Sequence, residues 1–143
     1  MPLAWLVGRG DMTVVDGLDM QALPKQIVIL TYARDLDPGE RKAVEASQLI
    51  YLKRIEDLLE HSLPTGPLWI HFDVDVIDPQ ELRAVACPAA GGPSSDELRP
   101  VFKHLAGTGR VEAISVSTWD PLQDADGSSR KLTMGLVDDL LIS

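Results

Sequence analysis

Hydrophobic positions along this chain fall into short runs separated by polar, Gly-marked or Pro-marked breaks. Three runs read as strands. Residues 26–31 (Gln-Ile-Val-Ile-Leu-Thr) and 68–72 (Leu-Trp-Ile-His-Phe) are mostly apolar and rich in β-branched or aromatic side chains, the pattern of strands buried on both faces. Residues 111–118 form the third. Helix starts are marked by capping-box spacing. Asp37 precedes Pro38 and lies three residues before Glu40, and Ser94 lies three before Glu97. The second of these opens a helix over about 95–105, with Pro100 early in it and Gly107 and Gly109 after it. The stretch 40–61 reads either as one amphipathic helix or as two short helices divided by a strand at 48–52. The run Leu49-Ile50-Tyr51-Leu52 breaks helical alternation and favours the second reading. A short helix at 2–7, turns at 64–67 and 124–129, and a terminal helix at 132–142 complete the pattern. Strands alternating with helices predict an α/β fold with a mainly parallel sheet, whose site lies beyond the carboxyl ends of the strands. Those ends are the segments after Thr31, Phe72 and Thr118.

Composition narrows the classes. With 143 residues, 45% hydrophobic and 24% charged, the chain has the make-up of one globular domain, residues 1–143. A formal net charge of −9 argues against a nucleic-acid partner, which requires clustered cations. It suits cationic substrates or divalent metals, and equally plain solubility. No apolar run has the length of a membrane span, and the first seven residues lack the basic start of a signal peptide. The single cysteine, Cys87, permits no internal disulfide, and the expected location is cytoplasmic. Trp5, Trp69 and Trp119 are expected in the core.

The chemistry concentrates in residues 69–79, Trp-Ile-His-Phe-Asp-Val-Asp-Val-Ile-Asp-Pro. If the strand runs on, Asp73 and Asp75 project to one side, and two adjacent carboxylates repel unless a cation lies between them. Oxygen ligands select hard divalent ions, and a nearby imidazole broadens the choice. The bland alternative is a carboxylate pair that caps a turn or faces solvent. An EF-hand is excluded by the missing Gly and Glu. A further reading is a haloacid dehalogenase-like phosphatase, with Asp73 as nucleophile, Asp75 as general acid and Mg²⁺. It needs a late acidic pair, for which Asp138-Asp139 is the candidate, and it leaves residues 33–40 and Asp78-Pro79 unexplained.

Residues 72–79 resemble the S-F-D-x-D-x-x-D-P signature of the arginase, agmatinase and formiminoglutamase (ureohydrolase) family. Other segments agree in order. Met1-Pro2-Leu3-Ala4 resembles G-M-P-L-A, and residues 33–40 (Ala-Arg-Asp-Leu-Asp-Pro-Gly-Glu) resemble R-D-x-D-P-G-E. Gly91-Gly92 resembles the G-G after the G-T-P loop, and residues 119–124 (Trp-Asp-Pro-Leu-Gln-Asp) resemble N-P-x-x-D. The resemblance implies a three-layer α/β/α, arginase-like fold, here incomplete and limited to the C-terminal half. It implies that Asp73 and Asp75 are ligands of a binuclear Mn²⁺ cluster, whose shared hydroxide attacks a guanidinium carbon. It assigns Asp37 to the α-amino group of the substrate, although helix capping alone accounts for that residue.

The departures limit this reading. The upstream motifs G-G-D-H-S and D-A-H-x-D, which supply the other ligands, are absent from the chain. His71 stands where the family has Ser, which makes it either an added ligand or a packing residue. The glutamate before N-P is not retained; Ser115, Ser117 or Thr118 stands in that region. The expectation is a truncated manganese-dependent hydrolase of a small guanidino compound, inactive alone. It would be completed by a homo-oligomer or a complementing N-terminal half. The alternatives are a non-catalytic interaction module of the same fold and the phosphatase.

Overall fold

The two parallel strand pairs of this protein are each built as strand, helix, strand. The computed structural model describes residues 2–141. Expectations that touch Met1 and Ile142 lie, at those positions, outside the described residues. The chain divides into two compact units, 1–52 and 53–143.

The first unit carries α1 (Pro2–Leu6), α2 (Thr13–Gly17), β1 (Ile29–Thr31), α3 (Pro38–Glu45) and β2 (Ile50–Leu52). β1 and β2 pair in parallel, Ile29 with Ile50 and Thr31 with Leu52. β1 is shorter than the 26–31 run, because a 3-10 turn at Lys25–Ile27 follows Pro24. The strand reading of 48–52 holds at Ile50–Leu52. Asp37 is the N-cap of α3, Pro38 opens it, and Glu40 Oε2 accepts the Asp37 N–H at 3.2 Å. Among the described residues of this unit, Val7 and Val15 are the apolar side chains that are buried. Every residue of β1 and β2 is half-buried, so these strands are not closed in on both faces, and Ile27, Leu23, Met20, Leu18 and Trp5 beside them are exposed.

The second unit holds a 3-10 turn (Ile55–Leu59), β3 (Leu68–Asp73), α4 (Ser95–Ala106), β4 (Val111–Ser117) and α5 (Ser128–Leu141). β3 and β4 run parallel, with His71 opposite Ser115 and Asp73 opposite Ser117; the register shifts between Leu68 and Trp69. α4 starts where its capping box predicts, with Ser94 N–H donating to Glu97 Oε2 at 2.8 Å and Glu97 N–H to Ser94 Oγ at 3.3 Å. Pro100 sits inside the helix without ending it. The buried face of α4 (Leu98, Val101, Phe102, Leu105) follows the 3-and-4 spacing of an amphipathic helix and meets α5 and the 55–59 turn. Phe72 of β3 meets Phe102 edge to face, with centroids 5.1 Å apart. Arg99 reaches Asp139 at 2.5 Å and Lys103 reaches it at 3.6 Å, an ion-pair clip between α4 and α5.

Two expectations are corrected here. β3 is buried on one face only: Phe72 is 3% exposed, whereas Trp69 is 52% exposed and His71 is exposed. Trp5 and Trp119 are also exposed rather than in the core. The physical reason at β3 is that Phe102 of α4 packs on the Phe72 ring, whereas Trp69 and His71 keep their exposure among the described residues. Among the described residues no helix is long and apolar enough to cross a membrane.

Candidate functional site

The site residues of the second unit gather at the carboxyl end of the β3–β4 pair. β3 stops at Asp73, and Val74–Val76 forms a 3-10 turn. Asp73 caps that turn, its Oδ1 accepting the Asp75 N–H at 3.3 Å. Asp75 therefore lies in the turn and not on the strand, so strand alternation does not set its direction. Both carboxylates are half-buried. The turn is built on Val74 (0% exposed) and Ile77 (1% exposed), which anchor it in the core while the acids stay at the rim.

The end of β4 meets this turn. Thr118 Oγ1 donates to Asp73 Oδ1 across 45 residues of sequence, and lies 2.8 Å from the carbonyl of Ser117. Thr118 has φ 67°, a left-handed conformation that a β-branched residue adopts only under external constraint. The hydroxyl bond to Asp73 supplies part of that constraint. Of the three residues that stand near the missing glutamate, Thr118 is the one whose hydroxyl donates to the Asp73 carboxylate. Sequence reasoning did not single out this pairing, because it needs the β3–β4 register. His71 holds a different network: its Nδ1 is 2.8 Å from Ser115 Oγ and its Nε2 is 3.4 Å from Ser117 Oγ. Trp69 Nε1 donates to the same Ser115 oxygen at 3.2 Å. His71 and Asp73 share a face, but the imidazole is engaged on both nitrogens by serines.

The loop after β4 is a scaffold. Asp120 accepts from Leu122 N–H at 2.9 Å and Gln123 Nε2 at 2.8 Å, and these bonds, the side-chain one foremost, hold its carboxyl below the usual aspartate range. Asp124 accepts from Trp119 Nε1 (3.1 Å), Ser129 N–H (3.0 Å) and Arg130 N–H (2.7 Å), capping α5 and fixing the Trp119 ring. Asp124→Ala is expected to cost about 1–2 kcal/mol, the range of a lost helix cap. Urea denaturation checks this, and a change under a few tenths would show that the cap contributes nothing. Gly92 packs against the backbone of residues 76–78, and Asp78 N–H donates to the Pro93 carbonyl at 3.0 Å. Gly92 thus braces the turn that carries Asp75. Cys87 is free and exposed.

Asp37 belongs to the first unit, exposed at the N-cap of α3. The carboxylates of Asp73 and Asp75 are the hard donors that manganese takes, yet a divalent ion of this kind needs about six ligands. Among the described residues no three His, Cys, Asp or Glu side chains converge as a ligand set. The residues present therefore do not fit a binuclear cluster by themselves. Asp139, one of the acidic pair the phosphatase reading requires, is engaged in the α4–α5 ion pairs.

Comparison with known proteins settles the class. Residues 25–143 match the model of the arginase family. The chain belongs to the arginase family. It is 29% identical to the arginase of Bacillus subtilis (strain 168), an alignment that takes in 99% of this chain and 52% of that protein. The crystal structure of the Bacillus subtilis arginase superposes with a TM-score of 0.90 at 26% identity, over 100% of this chain and 54% of the other. The agmatine ureohydrolase of Thermoplasma volcanium shares the fold, with a TM-score of 0.72 at 18% identity over 84% of this chain and 43% of its own. The chain spans about half the length of the curated arginase from Bacillus subtilis, and it corresponds to the C-terminal part of the fold.

Proposed function

We propose that this chain is the carboxylate-bearing half of a manganese-dependent ureohydrolase acting on a small guanidino compound. It brings Asp73 and Asp75 to a metal site whose other ligands lie outside residues 1–143. The observation that carries this reading is the placement of the two acids at the carboxyl end of β3, in a chain that matches half of an arginase. Asp37 is assigned, on the resemblance of residues 33–40, to the amino end of the substrate, and its exposed carboxylate supports that role. The chain alone holds manganese weakly and releases no urea, because two carboxylates leave most of an ion's coordination to water.

The test is reconstitution with Mn²⁺, removal of free metal, and elemental analysis, followed by a urea-release assay on arginine and agmatine. The expected result is well under one ion per chain and no urea. Two retained ions per chain would overturn the incomplete site. Titration of Mn²⁺ into an isotopically labelled sample should broaden the amide signals of residues 73–76 first, and Asp73→Asn should abolish that selectivity. Broadening spread evenly over the 22 acidic residues would remove Asp73 and Asp75 as ligands.

A further inference from the structure

Asp73 stands between two anchors. Phe72 before it is 3% exposed and Val74 after it is 0% exposed, so the main chain is held in the core on both sides. What remains free is the side chain, whose torsions decide where the two carboxylate oxygens stand. One of those oxygens is already taken. Oδ1 accepts the Asp75 N–H at 3.3 Å and the Thr118 hydroxyl, which uses both of its lone pairs. Among the described residues no hydrogen bond reaches Oδ2.

Ser117 is the residue opposite Asp73 in the β3–β4 register, but its hydroxyl lies 3.4 Å from His71 Nε2. Side chains alternate along a strand, so a continued β4 would turn Thr118 to the face opposite Ser117. β4 ends at Ser117, and Thr118 takes φ 67°, which carries its hydroxyl back to Asp73. A left-handed backbone is costly for a β-branched residue, and a charge-assisted bond to a carboxylate is strong enough to offset that cost. The same hydroxyl lies 2.8 Å from the Ser117 carbonyl, but it has a single proton, and the charged oxygen is the better acceptor. We propose that Thr118 is a positioning residue: it commits Asp73 Oδ1 to the protein and leaves Oδ2 as the oxygen that Asp73 offers a cation. The misfit between this chain and a binuclear cluster is then deeper than a shortage of ligands, because one oxygen of a ligand that it does carry is already spent. The lock stands on hydrogen-bond geometry alone, whereas the cation rests on the metal reading above.

The experiment compares the full chain with Thr118→Gly and Thr118→Ser by NMR. Glycine suits φ 67°, so the first variant removes the hydroxyl while relieving the backbone, and the fold should hold. Serine restores the hydroxyl. In the parent chain the Hα–Hβ couplings of Asp73 should report one rotamer. In Thr118→Gly they should average over several, and exchange of the Asp75 amide should speed up about tenfold, the size of a lost charge-assisted hydrogen bond. Thr118→Ser should return both to the parent values. Asp78, whose Oδ1 holds the Gln80 N–H, should be unchanged in all three proteins. The Mn²⁺ concentration that half-broadens the amide signals of residues 73–76 should rise about tenfold in Thr118→Gly, the usual cost of losing a group that orients a ligand. One Asp73 rotamer in all three proteins overturns the proposal. An averaged rotamer with an unmoved Mn²⁺ midpoint also overturns it, since the bond would then serve the fold alone. If Mn²⁺ broadens no signal selectively even in the parent chain, the metal reading fails, while averaging in Thr118→Gly still upholds the lock.

Discussion

Replacing Gly92 with alanine is expected to cost about 3 kcal/mol or more, a large share of the roughly 5–15 kcal/mol that holds a domain together. Two penalties combine. The backbone at Gly92 has φ +133°, a region that L side chains rarely adopt. A Cβ there would stand 2.6 Å from the Asp78 nitrogen and 2.6 Å from the Val76 oxygen, and neither can yield because both are main chain. The 74–78 turn must then move, and with it Asp75. Gly91→Ala is the internal control. Gly91 also has positive φ, +76°, but nothing lies within 4 Å of its added Cβ, so only the conformational cost of about 1–2 kcal/mol applies. Urea denaturation and Tm of the two variants make the comparison. Equal losses would show that residues 76–78 do not press against Gly92.

Phe72→Ala is expected to cost about 3–5 kcal/mol, the range for truncating a buried aromatic. The ring is 3% exposed and packed against Phe102, so its loss leaves a cavity between β3 and α4 that α4 cannot close without breaking its contacts to α5. Phe72→Leu keeps most of the volume and should cost about 1.5 kcal/mol or less. Both are read from chemical denaturation at constant slope. A loss near 1 kcal/mol for the alanine variant would mean that the closed face of the sheet is not the core of this unit. Because Phe72 directly precedes Asp73, the same variant should also loosen the turn at 74–76, visible as faster amide exchange there.

What the sequence disclosed, and what it concealed, follows from the range of the interactions involved. The capping boxes at Asp37 and Ser94 are local hydrogen bonds between residues three apart, so α3 and α4 begin where their sequences say. The strand at 50–52 was legible because four consecutive apolar residues cannot all lie on one side of a surface helix. The terminal helix begins a turn earlier than its apolar periodicity, at Ser128, because Asp124 caps the N–H groups of Ser129 and Arg130 from outside the apolar pattern. α2 at Thr13–Gly17 is a single turn of helix too short to leave a periodic signature. The Asp73–Asp75 pair was legible as a motif but not as a geometry. Asp73 bonds the N–H two residues on, a local bond that turns the chain out of the strand. The Thr118–Asp73 contact spans 45 positions and appears only once the register of β3 and β4 is known. The tryptophans misled because aromatic side chains mark interfaces as readily as cores.

Each strand described here has a neighbour on one side only, in sheets of two. Unpaired strand edges are templates for any passing chain, and proteins commonly guard them with charge. Here mutual repulsion between molecules of net charge −9 is a guard that acts on every edge at once. That guard vanishes near the isoelectric point of about 4.6. Colloidal stability is thus tied to pH through the same open edges, and the chain keeps best well above that point.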